Sequence, residues 1–309
     1  MLDKRIYINS LAGISPPMAL RGFENVGEPD YKELIPDAEL RRRMSRIVRM
    51  GVASALICLK KADFESLDGI ITGTGWGCLS DTEKFLNSIL DNNERMLNPT
   101  SFIQSTANTI GAQVALLIEE KNYNNTFAHG GTSFEASMID AILKLQEESC
   151  KNILVGGFDE ITPTVIHLLG RMGVWRTSTP GEGSHFFLFS SILNDSSIAE
   201  VVSVKTFPKG FAISSVDQIE EYLALWGMKY NETGKVLCGV NNINKLLADS
   251  EVPVINFKEL CGEYPTASAF ALWMACNTFR TEPDINRILI VNKHIRDQLS
   301  LILVKRANL

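Results

Sequence analysis

The chain has little that would tie it to a metal, a membrane or a nucleic acid. Its four histidines and six cysteines are scattered over 309 residues, with no C-x-x-C, no H-x-x-x-H and no carboxylate cluster. That excludes a zinc framework and a disulfide scaffold, and the thiols read as the reduced cysteines of a cytoplasmic protein. A formal net charge of −6 leaves no basic excess for a nucleic acid, although a local basic patch can still meet an acidic protein. No apolar run approaches the ~20 residues of a membrane helix; "VASALICL" and "AFALWMAC" have the length of core helices. The opening "MLDKRIYINS" carries no long apolar stretch, so no secretory signal is expected. The "HGG" at 129–131 is followed by no G-x-S-x-G, which removes an esterase elbow. The "GTGWG" at 73–77 lacks the G-x-G-x-x-G spacing of a dinucleotide turn. No cofactor and no metal are expected.

What is present is an alternation of strands and helices, an α/β pattern with a mixed sheet. "RIYINSLAGISPP" opens as a strand stopped by prolines. Residues 38–62 read as one helix, with Leu40, Met44, Ile47, Val48 and Leu56 near a 3.6 period, and 102–121 as another. "DGIITGTGWG", "NILVGGFDEIT" and "SHFFLFSSIL" read as strands. Residues 208–235 are the least patterned, which divides the chain into halves at 1–207 and 208–309.

One unit occurs twice. "NNTFAHGGTSFEASMIDAILKLQEESCKNILVGG" and "VPVINFKELCGEYPTASAFALWMACNTFRTEPDINRILIVN" each give strand end, turn, apolar helix, turn and strand. Thr132 to Ile153 spans 21 residues and Thr266 to Ile288 spans 22. Both helices are apolar almost all round, so both belong inside the protein. Either the fold is duplicated, with sheets enclosing a central helical layer, or two such units are alike by chance.

Read in order, "IYINSLAGISPP", "RRRMSRIVRMGVASAL", "DGIITGTGWGCLSDTEKF", "NPTSFIQSTANTIGAQVA", "GEGSHFFLF" and "NFKELCGEYPTASAFALWMA" resemble six motifs of the β-ketoacyl-acyl-carrier-protein synthases of the thiolase-like superfamily. The resemblance implies the duplicated five-layer α/β/α/β/α fold. It also asks for a cysteine nucleophile at the elbow in "FAHGGTSFEASMIDAIL", where a helix N-terminus would lower its pKa. Carried over, that cysteine falls on Gly131. The family's first histidine falls on Val240 or Asn241 and its second on Glu263, while its lysine survives as Lys258. The family's Gly-Phe-Gly-Gly loop reads "NKHIRDQLS". The Cys-His-His set is therefore absent, and the resemblance implies no ordinary condensation by this chain alone.

Substitute chemistry remains open at this stage. His129 could serve Ser133 or Thr132 as base, or pair with Cys261 if the duplicated turns meet. The alternative is that Ser133 and Thr132 are helix caps, His129 a structural histidine and Cys261 a buried thiol. Arg42, Arg46 and Arg49 fall at i, i+4 and i+7 of the expected helix, a face suited to an acidic acyl carrier protein or to plain ion pairs.

Within the superfamily, a synthase without its nucleophile resembles the chain-length factor, which pairs with an active ketosynthase. "FAHGGTSFE" with "KELCGEYPTASAFALW" is most similar to the short synthase-like proteins of aryl-polyene and flexirubin clusters. The alternatives are an acyltransferase with replaced catalytic groups and a carrier-protein-binding scaffold. Implied partners are an active ketosynthase in a heterodimer, or a second copy in a homodimer, and acyl carrier protein. The strand edge at "NNTFAHGG" is expected at that interface. Gln104, Thr132 and Phe134 are expected beside substrate, with Phe134 either a tunnel wall or space-filling.

Overall fold

The computed structural model describes residues 4–15 and 27–307; the two prolines expected to end the first strand lie outside them. The first run of elements is β1 (Ile6–Ile14), α1 (Tyr31–Leu34), α2 (Ala38–Arg43), α3 (Arg46–Lys60), β2 (Gly69–Gly73), α4 (Leu79–Asp91), α5 (Pro99–Ser105), α6 (Thr109–Leu117) and β3 (Tyr123–Phe127). It continues through α7 (Ser133–Leu145), β4 (Asn152–Asp159), α8 (Pro163–Arg171) and β5 (Gly183–Ser190). The second run is β6 (Ala199–Thr206), α9 (Val216–Ala224), β7 (Lys235–Cys238), α10 (Asn241–Leu246), β8 (Val254–Ile255), α11 (Lys258–Cys261), α12 (Ala267–Thr281), β9 (Arg287–Lys293) and β10 (Leu299–Arg306).

The ten strands form one sheet in the order β3-β2-β4-β5-β1-β6-β10-β9-β7-β8. Matching β1 to β6 and so on to β5 with β10, the order reads the same from either edge towards the β1–β6 seam. Pairing senses match too. β2 runs parallel to β3 and β4, β7 parallel to β8 and β9, and the β4–β5–β1 and β9–β10–β6 pairs are antiparallel. The repeat read in the sequence is a duplication of the whole fold.

Three apolar cores show the layering. In β5, Phe186 and Leu188 point one way and Phe187 and Phe189 the other, as the pleat demands. The first pair packs with Ile47, Val48 and Val52 of α3 and Ile110 and Val114 of α6. The second pair joins α7, α12 and residues of both half-sheets, including Val155, Ile290 and Ile302. Beyond the second half-sheet, Ile219 and Leu223 of α9 and Ile243 of α10 cover Leu289, Leu301 and Leu303. Helices, sheet, helices, sheet, helices is the expected five-layer arrangement.

The central helices follow their composition. Twelve side chains of α12 are buried, among them Phe270, Leu272, Trp273 and Met274. In α7, Met138 and Ile142 are buried, but Leu143 is exposed and Ile139 half-buried, against the expectation for an interior helix. The cause is topological: β3 is the last strand of the sheet, and α7 overhangs it. Tyr123 of β3 bonds Asp140 there, and Lys144 lies over the Tyr123 ring.

Two expected helices are broken. Residues 38–62 bend at Met44 and Ser45, both extended, and α3 restarts behind Ser45. Residues 102–121 divide at Thr106, also extended, into α5 and α6. The apolar period survives both breaks because Met44 and Thr109 are themselves buried. Residues 208–235, expected to be irregular, contain α9, which carries a capping box at Ser215 and Gln218. Among the described residues no helix is long and apolar enough to cross a membrane.

Candidate active site

The duplicated turns meet, as the fold requires. The turn after β2, the Gly130–Thr132 turn before α7 and the turn before α12 are so close that a side chain on Gly75 would sit 2.3 Å from Pro265 Cβ and 2.9 Å from the Gly130 carbonyl. Asp159, wholly buried at the end of β4, ties the first and the last of them together. Its Oδ1 accepts from Thr74 Oγ1 at 2.8 Å, Gly75 N at 2.9 Å and Trp76 N at 2.7 Å. Its Oδ2 accepts from Thr266 N at 2.9 Å and Thr266 Oγ1 at 2.7 Å. One carboxylate thus fixes the β2 turn to the start of α12.

At the elbow, Gly131 donates its N–H to Asp297 Oδ2 at 2.7 Å. Asp297 belongs to the hairpin loop between β9 and β10, and its negative charge sits at the positive end of α7. A Cβ on Gly131 would lie 2.5 Å from His294 Cβ and 3.2 Å from Asp297 Oδ2. Gly130 has φ +62 and faces the same carboxylate. The hairpin loop therefore occupies the space a nucleophile's side chain would need.

The same loop brings in a histidine that the sequence motifs did not single out. His294 Nδ1 lies 2.8 Å from Glu263 Oε1. Lys258 Nζ donates to both Glu263 oxygens, at 3.0 and 2.8 Å, and to the Lys293 carbonyl at 2.8 Å. All three side chains are buried. Burial raises the Glu263 pKa, but the Lys258 charge and the hydrogen bonds from His294 and Lys258 outweigh it, and the carboxyl ends below its ordinary value. Trp76 presents itself edge-on to the His294 ring at 5.6 Å. An imidazole from the β9–β10 loop, in contact with the Glu263 and Lys258 positions, could have been suspected only from "NKHIRDQLS" lying where the family's loop falls.

The expected substitutes do not assemble. The Ser133 hydroxyl donates to the Gly130 carbonyl and accepts from the His129 backbone N–H, both at 2.8 Å, so it is a buried cap of its own turn. His129 is exposed, with its ring 5.5 Å from that of Phe127. Thr132 Oγ1 lies 3.2 Å from Gln298 Oε1 and 3.4 Å from the His129 carbonyl. Burial pushes the Cys261 thiol well above its ordinary pKa, and its Sγ faces the Gly262 carbonyl at 3.3 Å. Such a thiol supplies almost no thiolate. Asn241 is exposed at the start of α10.

The remaining positions are placed as follows. Phe134 is fully buried against the Phe187 ring, with centroids 5.7 Å apart. Gln104 is half-buried and donates to the Arg43 carbonyl. The three arginines do not share a helix face, because the chain breaks between Arg42 and Arg46. Arg42 is exposed. Arg46 is held between Glu28 and Glu182, each at 2.6 Å, and Arg49 lies over the Tyr31 ring at 5.7 Å.

Outside this site, several large apolar side chains are exposed. Leu86 and Leu90 of α4, Phe102 and Ile103 of α5, Leu116 of α6 and Leu168 of α8 are each more than half exposed. Among the described residues β3 pairs with β2 alone, leaving an open edge.

Among known proteins, residues 23–170 match the family model described as beta-ketoacyl synthase, N-terminal domain. No curated protein matches by sequence. Similar solved structures include the AntDE:AntF complex, a type II PKS acyl-carrier protein with its ketosynthase bound to the hexaketide, at TM-score 0.76 and 14% identity over 98% of this chain and 100% of that one. The ishigamide ketosynthase/chain length factor gives TM-score 0.74 at 14% identity over 98% and 100%. A beta-ketoacyl synthase from Burkholderia phymatum STM815 gives 0.73 at 13% over 99% and 100%. At these identities the likeness establishes the fold.

Proposed function

We propose that this chain, a member of the beta-ketoacyl synthase family through residues 23–170, is a non-condensing, chain-length-factor-like subunit of a condensing enzyme that builds polyketide chains of the aryl-polyene type. The observation that carries this lies at the start of α7: Asp297 closes on the N–H of Gly131, the residue on which the resemblance places the nucleophile. Gly131 offers no side chain to acylate, so the chain's part in condensation lies in a partner's reaction. The open β3 edge and the apolar side chains of α4, α5, α6 and α8 support a partner there, because an unpaired edge beside exposed apolar surface is an association hazard unless covered. The partner we propose is an active ketosynthase, with acyl carrier protein delivering the chain. The similarity to a ketosynthase/chain length factor agrees with that assignment.

Co-expression with an intact ketosynthase tests the reading. A 1:1 complex that makes product, where neither chain does alone, is the expected result. A chain that stays monomeric and leaves the synthase unaffected would end it. We place Phe134 at the closed end of the partner's acyl space. Phe134→Ala is expected to cost about 3–5 kcal/mol as a core truncation and to lengthen the pair's product; unchanged length in an intact pair would remove Phe134 from that role.

A further inference from the structure

We propose that His294, oriented by Glu263, is the general base of a water-dependent cleavage of acyl thioesters at the start of α7. Glu263 is held ionised, and a carboxylate can only accept, so the 2.8 Å contact puts a proton on His294 Nδ1; the neutral tautomer that serves as base then carries its lone pair on Nε2. Nε2 makes no hydrogen bond among the described residues. Lys258 with Glu263 is already charge-balanced without the imidazole. The ring is also set at a conformational cost. Ile295, a β-branched residue, has φ 47, and the Asp297 N–H closes the turn onto the His294 carbonyl at 2.7 Å. The ring's place is fixed by Gly131, where an added Cβ would lie 2.5 Å from His294 Cβ, so the start of α7, capped there by Asp297, borders it.

The neighbouring nucleophiles are occupied: Ser133 is spent on its turn, the Thr132 hydroxyl faces Gln298 Oε1 and the His129 carbonyl, and Cys261 is a buried neutral thiol. Water remains. Its oxygen forms a bond to the thioester carbonyl carbon while its proton passes to His294 Nε2. The tetrahedral alkoxide then collapses, the C–S bond breaks, and the imidazolium returns the proton to the leaving sulfur. A carboxylic acid and a thiol are released, with no oxidant or cofactor required. Glu263 is a positioning residue here, and Lys258 keeps it ionised. The substrate class rests on the proposed function; the assignment of the base does not.

The test uses the full-length protein with acetyl- and octanoyl-carrier-protein thioesters, reading free thiol with a chromogenic disulfide. Thiol release above the buffer rate is expected. His294→Asn and Glu263→Gln should each lower kcat about 100-fold with KM unmoved, and Glu263→Asp should recover part of the loss. Matched melting curves exclude misfolding as the cause. Wild-type release at the buffer rate, or a His294→Asn variant as fast as wild type, overturns the proposal. A protein that hydrolyses thioesters yet binds no synthase would refute the subunit reading and leave this one standing.

Discussion

Asp159→Ala is expected to unfold the protein or leave it barely stable at 25 °C. The side chain is wholly buried and accepts five hydrogen bonds, three from residues 74–76 and two from Thr266. Truncation strands five donors, three of them in buried hydrogen bonds, and opens a void between the β2 turn and the start of α12. Each stranded donor costs about 1–3 kcal/mol, and partial relaxation leaves a total on the order of 5 kcal/mol, a large share of a typical domain's stability. Asp159→Asn keeps the shape and one acceptor oxygen, so it should lose less. Urea denaturation followed by circular dichroism reads both. An Asp159→Ala protein within about 1 kcal/mol of wild type, below the cost of a single stranded donor, would show that the turns are held by something other than this carboxylate.

Placing a thiol at Gly131, where the resemblance puts the nucleophile, should damage the protein instead of activating it. In Gly131→Cys the new Cβ meets His294 Cβ at 2.5 Å, a contact with the base of a side chain and not its flexible end. The β9–β10 loop must move, and with it the Asp297 bond to the Gly131 N–H and the Glu263–His294 pair. Overpacking of this kind costs about 1–3 kcal/mol. Adding His294→Gly removes the clashing atom and should recover part of that loss, a coupling measurable by a double-mutant cycle. Neither variant is expected to condense, because the resemblance places both family histidines on other residues, Val240 or Asn241 and Glu263. Gly131→Cys with wild-type stability would mean that the loop does not occupy the nucleophile's space.

Much of the architecture was readable because burial leaves a plain signature. Helix α12 has almost no polar face, and that alone placed it between sheets; α7 has less, and its Leu143 is exposed where the sheet ends. The motifs located the turns that meet, and Glu263 and Lys258 do lie together. What stayed hidden depends on contacts far apart in sequence. Asp297 reaches Gly131 across 166 residues, and no local pattern marks a hairpin loop as a plug. His129 looked like the natural base from its nearness to Ser133 in sequence, yet the backbone turns its ring outwards to Phe127. The face of three arginines failed for a local reason, the extended pair Met44–Ser45, which hydrophobic periodicity does not report. We also propose moving the division between halves from residue 208 to 191–198, because β6 is the counterpart of β1.

The central claim is that the elbow of this chain carries no acyl group. Its most direct measurement is the intact mass of the purified protein after incubation with acyl-carrier-protein thioesters, in the presence and absence of an active ketosynthase. The account predicts an unchanged mass for this chain in both cases, with any acyl adduct found on the synthase alone. A stoichiometric adduct on Cys261, Ser133 or Thr132 would contradict it.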